Sequence, residues 1–253
     1  MAGAVATWWA SIRRSACNCS ARSRCSARWQ NSRLSAGDQV LQVLYPFLAT
    51  LAAYLLGSIS FAVIVSRLMG LRDPRTFGSK NPGATNVLRS GSKPAAIVTL
   101  LLDGVKGWLP VLLVQLFGKP YGLEEGTVAM VGLAAFLGHL YPVFFRFQGG
   151  KGVATFLGVV FGIHPLLGLA TAATWVIIAF FFRYSSLASL ISAVFAPAFY
   201  LLGDHIQWYA ETPVALALAV MALLLAWRHS ENIGRLLQGR ESRLGAKKTM
   251  PGR

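Results

Sequence analysis

Twelve consecutive residues, GSKNPGATNVLR at 78–89, combine serine, two asparagines, threonine, lysine and arginine and contain no histidine, acid or cysteine. Such a run offers many hydrogen-bond donors and positive charge but no strong base, which suits holding an anion rather than abstracting a proton. Asn81-Pro82 reads as a helix start, with Asn81 as N-cap and proline in the first position. In a helix from Pro82, Thr85, Asn86 and Arg89 share a face, and Ser79 precedes the N-terminus, where free backbone N–H groups favour an anion. The same residues also fit a capped interfacial helix with a solvated arginine.

Three more polar clusters follow. FRFQGGKGVAT at 145–155 carries Gly149, Gly150 and Gly152, which let the backbone approach a ligand closely, with Lys151 as a point charge. Gly152 stands where a nucleotide-binding P-loop needs serine or threonine, so a phosphate or acyl-phosphate site fits and a nucleoside triphosphate site does not; a flexible turn between helices is the alternative. RHSENIGRLLQGRES at 228–242 spaces His229, Asn232 and Arg235 along one helical surface, with Gly239 as a helix stop before Glu241. It also reads as a basic juxtamembrane helix. RYSSLAS at 183–189 offers Ser185, Ser186 and Ser189 as donors or as small residues for helix packing. Asp103 and Lys106, three apart in an apolar segment, either mark function or pair to hold helices together.

These clusters punctuate a very apolar chain. Of its 253 residues, 55% are hydrophobic, too many for an ordinary soluble domain, and the strand-length alternation of a membrane barrel is absent. The expectation is an all-α, polytopic integral membrane protein of about seven transmembrane helices, at 42–65, 95–117, 127–146, 152–163, 165–182, 185–203 and 213–227. His164-Pro165 either breaks one long helix or closes a turn between two. The net charge of +15 is distributed unevenly. Arg67, Arg72, Arg75, Lys80, Arg89, Lys93, Arg146, Lys151, Arg183 and the C-terminal tail fall on one side. Lys119, Glu124, Glu125, Asp204 and Glu211 fall on the other. The positive-inside rule then places the N-terminal end of the first span outside, the C-terminus in the cytoplasm, and every polar cluster on the cytoplasmic side. No basic folded domain stands between the apolar segments, so nucleic acid is not an expected partner.

Residues 1–40 differ from the rest. They are rich in Ser, Ala and Arg and hold all three cysteines, Cys17, Cys19 and Cys25. Their apolar stretch precedes the charges, unlike a signal peptide. A disordered extension or a misplaced start accounts for them; a transit peptide or a Cys-x-Cys metal site are the other readings, the latter lacking a fourth ligand nearby. The domain division is therefore 1–40 and a membrane-embedded domain over 41–253.

The motifs resemble the bacterial acyl-phosphate:glycerol-3-phosphate acyltransferases, the PlsY family. The resemblance rests on GSISFAVIVSRLMGLRDPRTFGSKNPGATNVLR at 57–89, LLDGVKG at 101–107, GHLYPVFFRFQGGKGVAT at 138–155, RYSSLAS at 183–189 and HSENIGRLLQGRE at 229–241. It implies a seven-helix enzyme of the bacterial inner membrane, with its active site facing the cytoplasm. Such an enzyme moves a fatty acyl group from acyl phosphate to the 1-hydroxyl of glycerol 3-phosphate, giving lysophosphatidic acid and phosphate, the first step of phospholipid synthesis. No cofactor is implied, and the long-chain acyl phosphate could be handed over by a soluble enzyme that makes it. By resemblance, Ser79, Arg89, Lys151 and Asn232 serve the glycerol phosphate. Gly149, Gly150, Gly152, Thr85, Ser186 and His229 serve the acyl phosphate, Glu241 orients its neighbours, and Asn81, Asn86 and Arg235 complete the binding set. Ser79, Arg89, His229 and Asn232 form the expected catalytic group. The family run is GSGNPGATN, whereas Lys80 stands here at the second glycine; lysine takes a positive φ less cheaply but adds charge beside a phosphate.

Acyl phosphate is already activated, and its own phosphate can take the hydroxyl proton, so positioning and charge stabilisation suffice. His229 is the rival general base. The His-x4-Asp motif of another acyltransferase family is missing, because the residues five after His139, His164, His205 and His229 are Phe144, Leu169, Ala210 and Gly234. No metal-site spacing is present. A membrane transporter of a phosphorylated metabolite is the alternative, resting on Asp103 and Lys106; the crowding of polar motifs at one side speaks against it.

Overall fold

The computed structural model describes residues 36–245, and the described residues form ten α-helices with no strand. They are α1 (Ala36–Gly57), α2 (Phe61–Leu68), α3 (Ala84–Leu88), α4 (Lys93–Phe117), α5 (Glu125–Leu140), α6 (Val153–Ile163), α7 (Pro165–Phe182), α8 (Ser185–Leu202), α9 (Thr212–Arg228) and α10 (Ser230–Leu237). Residues up to Leu44 belong to a separate unit; the packing below concerns residues 45–245. The cysteines and most of the basic extension lie outside the described residues.

Local chemistry sets most helix ends. Ser92 caps α4, its Oγ accepting from Ala95 N at 3.3 Å with Pro94 in the first turn. His164 is extended and its Nδ1 accepts from Leu166 N at 3.3 Å, so the His164-Pro165 pair ends α6 and starts α7 with one residue between them. The expected segment 152–163 is thus a helix of its own, but its 11 residues reach only about 16 Å, roughly half a bilayer core.

Among the described residues, five helices are long and apolar enough to cross a membrane, or six if α9 and α10, bent by 61°, count as one span. The first expected span, 42–65, is not continuous. It breaks over Ser58–Ser60 between α1 and α2. At the break Gly57 lies flush against the Ala135 carbonyl of α5, and Gly138 of α5 against Tyr54 of α1. A similar close seam joins α4 to α6: a Cβ on Gly107 or Gly158 would fall onto the backbone of Thr155 or Gly104. Small residues let helices approach where lipid gives no hydrophobic drive for association. The core between them centres on Val111, Phe136, Leu140, Val159, Val160, Leu218 and Leu225, all fully buried.

The ionic pair inside α4 is closed upon itself. Lys106 Nζ lies 2.8 Å from Asp103 Oδ1 and donates to Ile59 O at 2.7 Å, capping a carbonyl that the helix break leaves free. His139 Nδ1 is 3.7 Å from Asp103 Oδ1 and 3.2 Å from Thr155 Oγ1, and Thr155 Oγ1 also donates to Asp103 O at 2.9 Å. Both charges are almost wholly buried. This is the helix-pairing role, and it removes the main support for the transporter reading.

Candidate active site

The loop before α3 is folded around Asn86. Its Nδ2 donates to Pro74 O at 2.6 Å and Phe77 O at 3.2 Å, and its Oδ1 accepts from Ser79 N at 3.2 Å. With every polar atom of its side chain bonded to residues 74–79, Asn86 holds the loop. Gly78, at φ +61, passes directly over the Asn86 amide with no room for a Cβ. The expected helix start at Asn81-Pro82 is displaced: α3 begins at Ala84 with Gly83 as its cap and runs for only 5 residues. The reason is the Asn86 clamp, which draws residues 77–79 across the helix start. Asn86 therefore faces inward, while Thr85 and Arg89 lie on the exposed side with Ser79 and Lys80 beside them, and Asn81 is half-buried. Lys80 does adopt a positive φ, +55.

The glycine loop packs against this one. A Cβ on Gly150 would meet the Pro82 carbonyl at 2.7 Å and fall onto the His139 ring, and one on Gly149 would fall onto the carbonyls of His139 and Leu140. Gly152, at φ +83, crosses the Phe136 ring and caps α6. Only glycine fits at these three positions.

The third motif turns back on itself. α10 ends in a Schellman turn, in which Arg240 N donates to Arg235 O at 2.8 Å and Gly239 N to Leu236 O at 3.0 Å, with Gly239 at φ +66. That reversal returns Glu241 to its own helix. Its Oε1 accepts from Asn232 Nδ2 at 2.6 Å and from Ser186 Oγ at 2.8 Å, and its Oε2 from Arg235 Nε at 2.8 Å. Asn232 Oδ1 in turn accepts from Lys151 Nζ. Lys151, Asn232, Glu241, Arg235 and Ser186, from three separate stretches of sequence, thus form one network. The next residues tie the tail across it: Arg89 donates to Ser242 Oγ at 3.2 Å, Leu244 N to Arg183 O at 2.7 Å, and Arg183 to Leu244 O at 3.0 Å.

His229 sits at the corner between α9 and α10, buried, three residues before Asn232. Its Nδ1 lies 2.8 Å from Leu225 O. A carbonyl only accepts, so the proton of the neutral ring sits on Nδ1 and Nε2 is left as the acceptor. Burial would raise Glu241, but its bonds to Arg235, Asn232 and Ser186 outweigh this and hold the carboxyl below its usual range. Burial, then the nearby Arg235, brings the Lys151 ammonium down to about 8.

One participant was not singled out from sequence as more than a topology-setting charge. Arg228 donates to Gly149 O at 3.1 Å and to Gly150 O at 3.3 Å. Its neighbour His229 in the same motif is the signal that could have pointed to it. Together Arg89, Lys151, Arg228 and Arg235 outnumber Glu241 and Glu231, so the cluster is cationic and fits phosphate.

A protein whose described residues are helical, with several membrane-length apolar helices and a cationic cluster of polar residues, is an integral membrane protein. The profile of the family described as glycerol-3-phosphate acyltransferase matches residues 47–239. A relative of that name from Albidiferax ferrireducens is 69% identical over 207 residues, covering 82% of this chain and 92% of the relative. One from Bordetella petrii is 65% identical over 196 residues, covering 78% and 92%. The crystal structure of PlsY (YgiH), an integral membrane glycerol 3-phosphate acyltransferase in its glycerol 3-phosphate form, superposes with a TM-score of 0.73 at 41% identity, covering 79% of this chain and 96% of PlsY. The chain belongs to the glycerol-3-phosphate acyltransferase family.

Proposed function

We propose that the protein is an acyl-phosphate-dependent glycerol-3-phosphate acyltransferase. The glycerol 3-phosphate O1 attacks the acyl carbonyl carbon and the carbon–oxygen bond to phosphate breaks. The hydroxyl proton passes to the departing phosphate, so lysophosphatidic acid and inorganic phosphate result. The observation that carries this reading is the network Lys151–Asn232–Glu241–Arg235–Ser186 beside the glycine loop, which brings the Lys151 and Arg235 cations together.

In this reading Ser79, Arg89, Lys151 and Asn232 hold the glycerol phosphate, with Asn81 and Arg235 nearby. Gly149, Gly150, Gly152, Thr85, Ser186 and His229 hold the acyl phosphate. Asn86 and Glu241 act by keeping loop and network in place. His229 Nε2 is the rival base, and it becomes the base if an activity loss in His229→Ala is restored by added imidazole.

The same reading makes residues 41–253 the enzyme proper, in a bacterial inner membrane, with seven crossing segments if α6 and α9 each count as one. The charge asymmetry supports an outer N-terminal end of the first span, a cytoplasmic C-terminus and a cytoplasmic site. A soluble enzyme that makes long-chain acyl phosphate would then meet it on that side. The test uses purified protein in detergent, full-length and truncated near residue 40, with palmitoyl phosphate and glycerol 3-phosphate, and palmitoyl-CoA as parallel donor. Phosphate release with palmitoyl phosphate, no acyl transfer from palmitoyl-CoA, and loss of release in Arg89→Ala are expected. No release from either folded chain overturns the reading.

A further inference from the structure

Arg228, the last residue of α9, aims its guanidinium at two successive backbone carbonyls. One terminal nitrogen donates to Gly149 O at 3.1 Å and Gly150 O at 3.3 Å, and Nε donates to Gly150 O at 3.3 Å. A trans peptide holds C=O and N–H antiparallel. Turning the two carbonyls toward Arg228 therefore turns the N–H groups of Gly150 and Lys151 the other way. The Gly150 N–H is spent on His139 O at 3.1 Å. The Lys151 N–H has no partner among the described residues. It runs into the first turn of α6, whose N–H groups have none within the helix.

Two glycines make this arrangement necessary. Peptide planes flanked by glycine rotate at little steric cost, so the loop could present either a carbonyl or an N–H to the site. Packing holds the glycine α-carbons against His139, Leu140 and Pro82, and the Gly150 N–H bond to His139 O fixes the Gly149–Gly150 peptide, which leaves the Gly150–Lys151 peptide to Arg228. We infer that Arg228 is the positioning residue that makes the choice, clamping both carbonyls so that the Lys151 N–H joins the α6 N-terminus as an anion-binding donor set. This rests on the acyl-phosphate reading for the identity of the anion, but not for the clamp itself. The clamp works by shape as much as charge. The planar fork reaches both carbonyls at once, which a lysine ammonium on a flexible stem does not.

The test compares wild-type protein with Arg228→Ala and Arg228→Lys. The first measurement is backbone amide exchange over residues 146–155 in detergent, which needs no substrate. Exchange in this segment is expected to rise in both variants, while that of α4 and α8 stays unchanged. The second is phosphate release from palmitoyl phosphate with glycerol 3-phosphate. Here kcat/KM is expected to fall about 10- to 100-fold, the range for losing hydrogen bonds to a charged donor. Low concentrations of guanidinium should restore part of the Arg228→Ala activity, and methylammonium should not. Unchanged exchange overturns the inference whatever the activity does. Full activity in Arg228→Lys, or rescue by methylammonium as well as guanidinium, also overturns it by making charge alone sufficient. A wild type that releases no phosphate sinks the acyltransferase reading, and amide exchange then decides on the clamp. If Arg228→Ala does not fold, Arg228→Lys carries both measurements.

Discussion

Glu241 accepts from Asn232 Nδ2 at 2.6 Å, and this single contact decides which way the Asn232 amide faces. A carboxylate has no proton to offer, so the NH2 must turn to Glu241 and the carbonyl oxygen to Lys151. Glu241→Gln keeps the shape but brings an NH2 group among three donors, Ser186, Asn232 and Arg235. Expected are a stability loss of about 1–3 kcal/mol and a drop in kcat/KM of about tenfold or more. Thermal unfolding in detergent and phosphate-release kinetics check this; unchanged values in both would show the network to be idle.

Lys151 should impose an alkaline limit on substrate capture. Its ammonium titrates at about 8, so the free enzyme loses this charge as pH rises through that value. Because kcat/KM reports free-enzyme ionisations, it should decline above about pH 8, chiefly through weaker binding of glycerol 3-phosphate. Lys151→Arg stays charged throughout and should lose the decline even if its overall activity is lower. A pH profile of kcat/KM for both proteins is the measurement, and an identical alkaline limb in the two would assign the limb elsewhere.

The pair of Asp103 and Lys106 should matter for stability first. Lys106→Met leaves the buried Asp103 charge without its cation and the Ile59 carbonyl without its donor. The expected cost is about 3–5 kcal/mol. Pairing it with Asp103→Asn should recover part of that, because no lone charge then remains. Melting of the two variants in the same detergent tests this, and a double variant no better than Lys106→Met would contradict it.

Lys80 holds a φ of +55 at a position where glycine is natural. Lys80→Gly should relieve strain of about 1 kcal/mol, while Lys80→Ala keeps the strain and loses the same charge. Comparing their melting points separates backbone from charge. If both lower phosphate-substrate affinity equally, the ammonium contributes to the anion site.

Much of the helical layout was legible because its punctuation is local. The expected 165–182 segment coincides with α7, and 185–203 and 213–227 lie within a residue or so of α8 and α9. Proline, glycine and charge at these ends act through their own backbone, whatever packs against them. The break over Ser58–Ser60 left no such mark. Its residues, Ser58, Ile59 and Ser60, are uncharged, and what ends the helix is the close approach of α5 and the reach of Lys106 from α4. The Asn81-Pro82 start failed in the same way, since a bonding pattern set by Asn86 overrode a sound local signal.

The amino-acid sequence by itself determined an apolar, all-helical membrane chain and its polar motifs, because composition and motif chemistry do not depend on distant neighbours. Only the tertiary structure decided that Lys151, Asn232, Ser186 and Glu241 form one network, that Asp103 and Lys106 are spent on each other, and that Arg228 faces the glycine loop. The Ser186–Glu241, Lys151–Asn232 and Arg228–Gly150 contacts join residues 55 to 81 positions apart, and hydrogen bonds over such separations depend on how the helices pack rather than on any local pattern; Asp103 and Lys106 are only three apart, but the same packing buries them and brings Lys106 to Ile59 O.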